Sequence, residues 1–132
     1  MSDSLSGEVP PSLSELESKV MEAMWSREEA TVRHVMEALN AKAERRLAYT
    51  TYMTIMNRLD GKGLLERRRE GKTDIYRSRW SREDFLEARA RAEVAALVDE
   101  FGDVALVHFT RQTEALDPDR RKQLRRLARR DA

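Results

Sequence analysis

The chain has 132 residues, 37% charged, 40% hydrophobic and 6% aromatic, with a net charge of +1 and no cysteine. That length suits one domain, or a small domain with an accessory segment, and the missing cysteines exclude disulfides and thiolate metal sites. No apolar run approaches ~18 residues, so no transmembrane helix is expected, and the N-terminus lacks the basic-then-apolar order of a secretory signal, which makes the cytoplasm the expected location.

Residues 1–12 (MSDSLSGEVPPS) are polar with a Pro-Pro pair and read as a disordered tail. Ser14 with Glu17 three residues on is a capping box, and Leu16, Val20, Met21, Ala23 and Met24 form the apolar stripe of a first helix closed by Trp25. Thr31 is the expected N-cap of a second helix, with Val32, Val35, Met36 and Leu39 facing inward. AKAERR (41–46) connects it to a third helix, about 49–60. There Tyr52, Ile55, Met56 and Leu59 share one side, and Thr50, Thr51, Thr54, Asn57 and Arg58 are left free on the other. Asp60-Gly61-Lys62-Gly63 ends that helix, since glycine just past a helix favours a left-handed cap. Strands are expected from Leu64 to Arg69 and from Ile75 to Arg79, with Glu70, Gly71 and Lys72 as the turn. Three helices followed by a basic hairpin are the layout of a winged helix-turn-helix.

Trp80-Ser81 closes this unit, so the domain is expected to span 13–80 and a helical segment 81–132. Ser81 with Asp84 starts a helix over 82–101, about 30 Å long. Gly102 interrupts the pattern, a shorter helix follows over 103–113, and Asp117-Pro118 starts the last one, 118–130. These helices are too thin to build their own core, and alanines at 88, 90, 92, 95 and 96 permit close approach of another helix. A second copy of the chain is the economical partner. Phe85, Ala92, Val98, Phe101, Leu124 and Leu127 are the expected dimer contacts. The fold class is therefore mainly α, a winged helix-turn-helix domain with a C-terminal helical dimerisation segment.

Charge is unevenly placed. Residues 1–44 carry 4 Lys/Arg against 9 Asp/Glu, residues 45–79 carry 10 against 4, and residues 80–132 carry 11 against 11. A local basic stripe raises nucleic-acid affinity even in a nearly neutral chain. An enzyme is not expected. The two histidines, His34 and His108, fall on different helices, and neither a P-loop nor a dinucleotide fingerprint is present. Neither a metal nor another cofactor is expected.

Double-stranded DNA is the partner this layout predicts. The second helix of a helix-turn-helix points its N-terminal residues at base edges in the major groove. Here these are Tyr49, Thr50, Thr51 and Met53, with Thr54 one turn on. Threonine hydroxyls bond bases or phosphates, and Thr and Met methyl groups contact the thymine methyl. No Arg or Asn lies in that first turn, so DNA shape is expected to carry part of the specificity. Arg45, Arg46 and Arg58 suit phosphates, and Lys72 at the hairpin tip is placed to reach phosphate or a minor groove. Arg67, Arg68 and Arg69 alternate faces, so not all of them can touch DNA.

The run from Leu16 to Trp80 resembles the penicillinase-repressor and methicillin-resistance-regulator family. The matching features are ExxVMxxxW at Glu17–Trp25, the spaced Thr-Val, Val and Leu of Thr31–Leu39, LAYTTYMTIMNRLDGKGL at 47–64, and Tyr76 at the end of the hairpin. ALVHFT at 105–110 and the terminal helix extend the likeness to about residues 13–130, and the wording is most similar to the actinobacterial branch. The resemblance implies a dimeric winged-helix repressor on a palindromic operator. In antibiotic-responsive members it implies control of β-lactam-resistance genes, relieved when a membrane-sensor metalloprotease cuts the C-terminal region. The matching bond is His108–Phe109, with His where the best-known members carry Asn. Thr50 and Met53 stand where those members carry Lys and Arg, and the absence of cysteine sets the copper-responsive branch apart. The alternatives from the residues alone are a winged-helix protein–protein adaptor and a regulator with a small-molecule pocket between its domains.

Overall fold

The computed structural model describes residues 8–130. The elements are α1 (Glu15–Trp25), α2 (Val32–Asn40), α3 (Tyr49–Gly61), β1 (Leu65–Glu70), β2 (Thr73–Ser78), α4 (Arg82–Phe101), α5 (Asp103–Glu114) and α6 (Pro118–Arg130). The chain divides into two compact units between Ala90 and Arg91. That boundary lies beyond the expected 80/81, because Trp80 and Phe85 are buried in the same cluster as α1–α3 and Ala88 packs against it.

Local chemistry sets the helix ends. Ser14 Oγ accepts from the Glu17 N–H at 3.2 Å while Glu17 Oε1 accepts from the Ser14 N–H at 2.9 Å, the expected capping box. At α2 the same reciprocal pair is built with histidine. Thr31 Oγ1 accepts from the His34 N–H at 3.1 Å, and His34 Nδ1 accepts from the Thr31 N–H at 3.1 Å. Helix α3 ends in a Schellman motif, with Gly63 at φ +81° and the Leu64 N–H bonded to the Leu59 carbonyl at 3.0 Å.

The strands pair antiparallel from Leu65↔Ser78 to Glu70↔Thr73. Only Gly71 and Lys72 turn the chain, with Gly71 at φ +65°, the glycine position of a type II′ turn. This tight turn brings Glu70 and Thr73 into the ladder and shifts both strands from the expected limits. A third short edge was not visible in the sequence: Ala30 bridges Tyr76, exchanging backbone hydrogen bonds of 3.0 and 2.9 Å. Between two helices, one bridging residue leaves no period to read.

The core of the first unit joins Val20, Met21 and Met24 of α1, Val35 of α2, Tyr52, Ile55, Met56 and Leu59 of α3, and Tyr76 of β2. The Trp25 indole N–H donates to the Trp80 carbonyl at 2.9 Å, and its ring lies 5.3 Å from that of Phe85. Glu17, 2% exposed, accepts from Lys62 Nζ at 2.8 Å, tying the start of α1 to the end of α3. Burial pushes the Glu17 carboxyl up, but the Lys62 and Ser14 hydrogen bonds and the Lys62 charge outweigh it and hold the group below its usual range. The expected tail differs from what is observed where it is described. Pro10 is buried, and its carbonyl accepts from Arg89 Nη1 at 3.1 Å; residues 1–7 of the expected tail lie outside the described residues.

In the second unit, no residue of α5 or α6 is buried. Phe101, Val104, Leu106, Val107 and Leu127 are all large, apolar and exposed. Arg121 Nη1 donates to the Glu114 and Leu116 carbonyls at 2.9 and 2.8 Å, closing the turn between α5 and α6. No helix among the described residues is long and apolar enough to cross a membrane.

Candidate nucleic-acid interface

Helix α3 is held by one face only. Tyr52, Ile55, Met56 and Leu59 are buried, whereas Tyr49, Thr50, Met53, Thr54 and Arg58 are exposed and Thr51 is half-exposed. Its N-cap, Ala48, offers no side-chain hydrogen bond. No side chain therefore caps the first turn, where the Thr51 N–H bonds to the Ala48 carbonyl at 3.0 Å. Arg45 and Arg46 lie exposed just before it. Asn57 departs from the expectation of a free polar residue. Its Oδ1 accepts from the Tyr76 hydroxyl at 2.6 Å and from Arg67 Nη1 at 3.0 Å, so it fastens the helix to the hairpin.

The hairpin is less basic than its sequence. Arg67 lies 3.9 Å from Asp60, Arg69 lies 3.3 Å from Asp74, and Arg77 lies 3.4 Å from Glu66. Arg68 binds Glu29 through both guanidinium nitrogens and Glu70 at 2.9 Å. The Arg68 hydrogen bond holds the Glu29 carboxyl below its usual range. Four of the arginines that make residues 45–79 basic therefore carry their own counter-charge. Among the described residues, Arg45, Arg46, Arg58 and Lys72 have no ion pair. With Arg79, which also has no ion pair among the described residues, they are the basic residues of 45–79 left for an outside anion.

Lys72, Tyr49 and Met53 come together along a groove of about 420 Å³ between the hairpin tip and the starts of α2 and α3. Arg33 lines the same groove and also has no ion pair among the described residues. It is absent from the residues expected at the interface from the sequence. Its signal was its place two residues after the Thr31 cap, at the exposed start of the first helix of the helix-turn-helix. The arrangement gives a methyl- and hydroxyl-bearing helix between two flanks of uncompensated positive charge. It can insert into a major groove while the flanks take phosphates.

The residues expected at a dimer contact fall into two groups. Phe85 is 7% exposed inside the first unit's core, against Trp25, which removes it from any outward face. Ala92, Val98 and Leu124 are half-exposed, and Phe101 and Leu127 are exposed. His108 is exposed and Phe109 half-exposed, both inside α5 rather than in a loop.

Comparison with known proteins agrees with this architecture. The profile of the family described as penicillinase repressor matches residues 13–130. Two relatives, each named transcriptional regulator BlaI and from two strains of Mycobacterium tuberculosis, are 38% identical over 110 residues, covering 81% of this chain and 78% of theirs. The solution structure of the DNA-binding domain of the repressor BlaI aligns with a TM-score of 0.50 at 25% identity, over 58% of this chain and 90% of that one. With a matching family profile across nearly its whole length and a winged helix of the same build, the chain belongs to the penicillinase repressor family.

Proposed function

We propose that this DNA-binding transcriptional repressor acts as a homodimer on a palindromic operator, with α3 reading the major groove and Lys72 and Arg33 gripping phosphates beside it. The observation that carries this reading is the exposed Tyr49–Thr50–Met53–Thr54 face flanked by cations with no ion pair among the described residues. Thr51 sits at the edge of that face, Arg45 and Arg46 on its approach, and Arg58 at its far end. Two such helices in a dimer meet half-sites about 34 Å apart, or a multiple of that spacing. The exposed apolar residues of α5 and α6, with Ala92, Val98, Phe101, Leu124 and Leu127, supply the surface that a second copy covers. The cytoplasm is the compartment in which such a repressor meets its DNA.

Family membership makes β-lactam-resistance genes the first regulon to test, with cleavage at His108–Phe109 by a membrane-sensor metalloprotease as the route to derepression. That bond lies within α5, so cutting it requires the helix to open locally.

A gel shift against random and genomic fragments tests the DNA reading. A preferred, dyad-symmetric site at moderate salt is expected; equal binding to all fragments overturns it.

A further inference from the structure

We infer that the groove between α1, the C-terminal half of α2 and the connection before α3 binds an organic anion with an apolar body, of the aryl-alkyl carboxylate class. The groove measures about 730 Å³ and is lined wholly by the first unit. That volume falls in the range of roughly 300–1,000 Å³ usual for small-molecule sites. Its floor is apolar: Leu16, Ala23, Leu39 and Leu47 are half-buried there against the core, and the Tyr52 ring closes the back.

Its rim is charged and unbalanced. Lys19 is matched by Glu15 at 3.5 Å, and Glu22 is taken by Arg82 at 3.0 Å. Arg27, Lys42 and Arg45 also line the groove, and none has an ion pair among the described residues. A ligand with an apolar body and one carboxylate answers both features. The body leaves water against the floor, and the charge supplies the counter-ion that the rim lacks. A neutral ligand satisfies only the floor, and a cation is repelled by the rim.

The groove also reaches the DNA-reading helix. Asn40 Oδ1 accepts from the Tyr52 hydroxyl at 2.8 Å and from the Leu47 N–H at 3.1 Å, and Asn40 Nδ2 donates to the Leu47 carbonyl at 3.0 Å. A ligand resting on Leu47 and Tyr52 therefore bears on the connection that presents Arg45 and Arg46. Its carboxylate also competes with a DNA phosphate for Arg45. Ligand and DNA then weaken each other reciprocally. This coupling rests on the DNA-binding function; the site itself does not.

The test is a ¹⁵N-HSQC titration of the full chain with 4-phenylbutyrate, 4-phenylbutanol and 4-phenylbutylamine. Saturable shifts are expected at Leu16, Ala23, Leu39 and Leu47 with the carboxylate, with the alcohol about tenfold weaker and the amine weaker still. In the double variant Arg27→Glu, Lys42→Glu the preference turns toward the amine, while the dispersion of the spectrum shows that the fold is kept. Shifts that do not saturate, shifts centred on α5 and α6, or equal binding of the three probes overturn the site. Adding saturating 4-phenylbutyrate to an operator titration is expected to raise the DNA Kd by about threefold or more, the scale of one weakened phosphate contact. An unchanged Kd beside saturable groove shifts overturns the coupling alone. A protein with no preferred DNA site overturns the operator reading and leaves the titration as the test of the groove.

Discussion

In the winged-helix unit fifteen apolar side chains lie buried in one cluster, whereas α5 and α6 bury none. The sequences show why. Helices α1 and α3 each put three or more large apolar residues on one stripe, and β2 adds Tyr76. Helix α6 offers Leu124 and Leu127 among seven Lys and Arg, and α5 carries Val104, Leu106, Val107 and Phe109 without burying any of them fully. The first unit carries its own stability. The second exposes large apolar side chains, which is the physical basis for proposing that reading belongs to one unit and pairing to the other.

The largest expected effect breaks the first unit from within. Leu59→Ala removes a fully buried side chain at the Schellman end of α3 and is expected to cost about 2–5 kcal/mol in urea denaturation. The equivalent change on the other unit, Val107→Ala, starts from a residue 46% exposed in the single chain. If the two variants lose equal stability at concentrations where the protein is monomeric, the contrast between the units fails.

Charge placed on the apolar face sharpens the contrast from the other side. The double variant Leu106→Glu, Val107→Glu is expected to raise the dimer dissociation constant by about a hundredfold or more, since each copy then buries uncompensated carboxylates. Sedimentation velocity reads this, and circular dichroism should show the first unit intact. An unaltered dimer moves the interface elsewhere.

Glu17→Gln is expected to cost about 1.5–3 kcal/mol at neutral pH, the scale of a hydrogen bond to a charged group, because the link to Lys62 joins α1 to the end of α3. The folded protein holds this carboxyl below its ordinary value of 4.5. Its contribution is therefore present above that value and disappears as pH falls through the lowered folded one. The stability curves of the parent and the Gln variant should converge in acid; curves that stay parallel down to low pH contradict the role given to the ion pair.

The smallest effects separate reading from gripping. Thr51→Ala should weaken binding to a preferred site by about 1 kcal/mol and leave random DNA nearly unaffected. Lys72→Ala should weaken both and lower the salt slope by about one unit. Equal losses on both DNA types for Thr51 place it on phosphate.

Much of this was legible in the residues. The capping signals at Ser14 and Thr31, the glycine past α3 and Asp117-Pro118 act over three or four residues, so the helix limits could be read locally. The alternation of buried and exposed positions in α3 separated its exposed face for the same reason. What could not be read depends on contacts across the chain. The ion pairs of Arg67, Arg68, Arg69 and Arg77 reach acids on α3, on the hairpin itself and at Glu29, so counting charge overstated the hairpin's pull on DNA. Asn57 looked free because its partner Tyr76 lies 19 residues away. Phe85 looked like a dimer contact because its helical stripe continues through Ala92 and Val98, and only packing on Trp25 shows that this stripe serves the core at its start. Arg33 was overlooked because α2 was read for its buried face alone.

The most direct measurement of the central claim is the stoichiometry and affinity of the intact chain on a selected dyad site compared with one isolated half-site, followed by sedimentation. The account predicts two chains on the dyad, bound at least about a hundredfold more tightly than one chain on the half-site, with that advantage lost in Leu106→Glu, Val107→Glu. Equal affinity for dyad and half-site, or an advantage that survives the double variant, contradicts it.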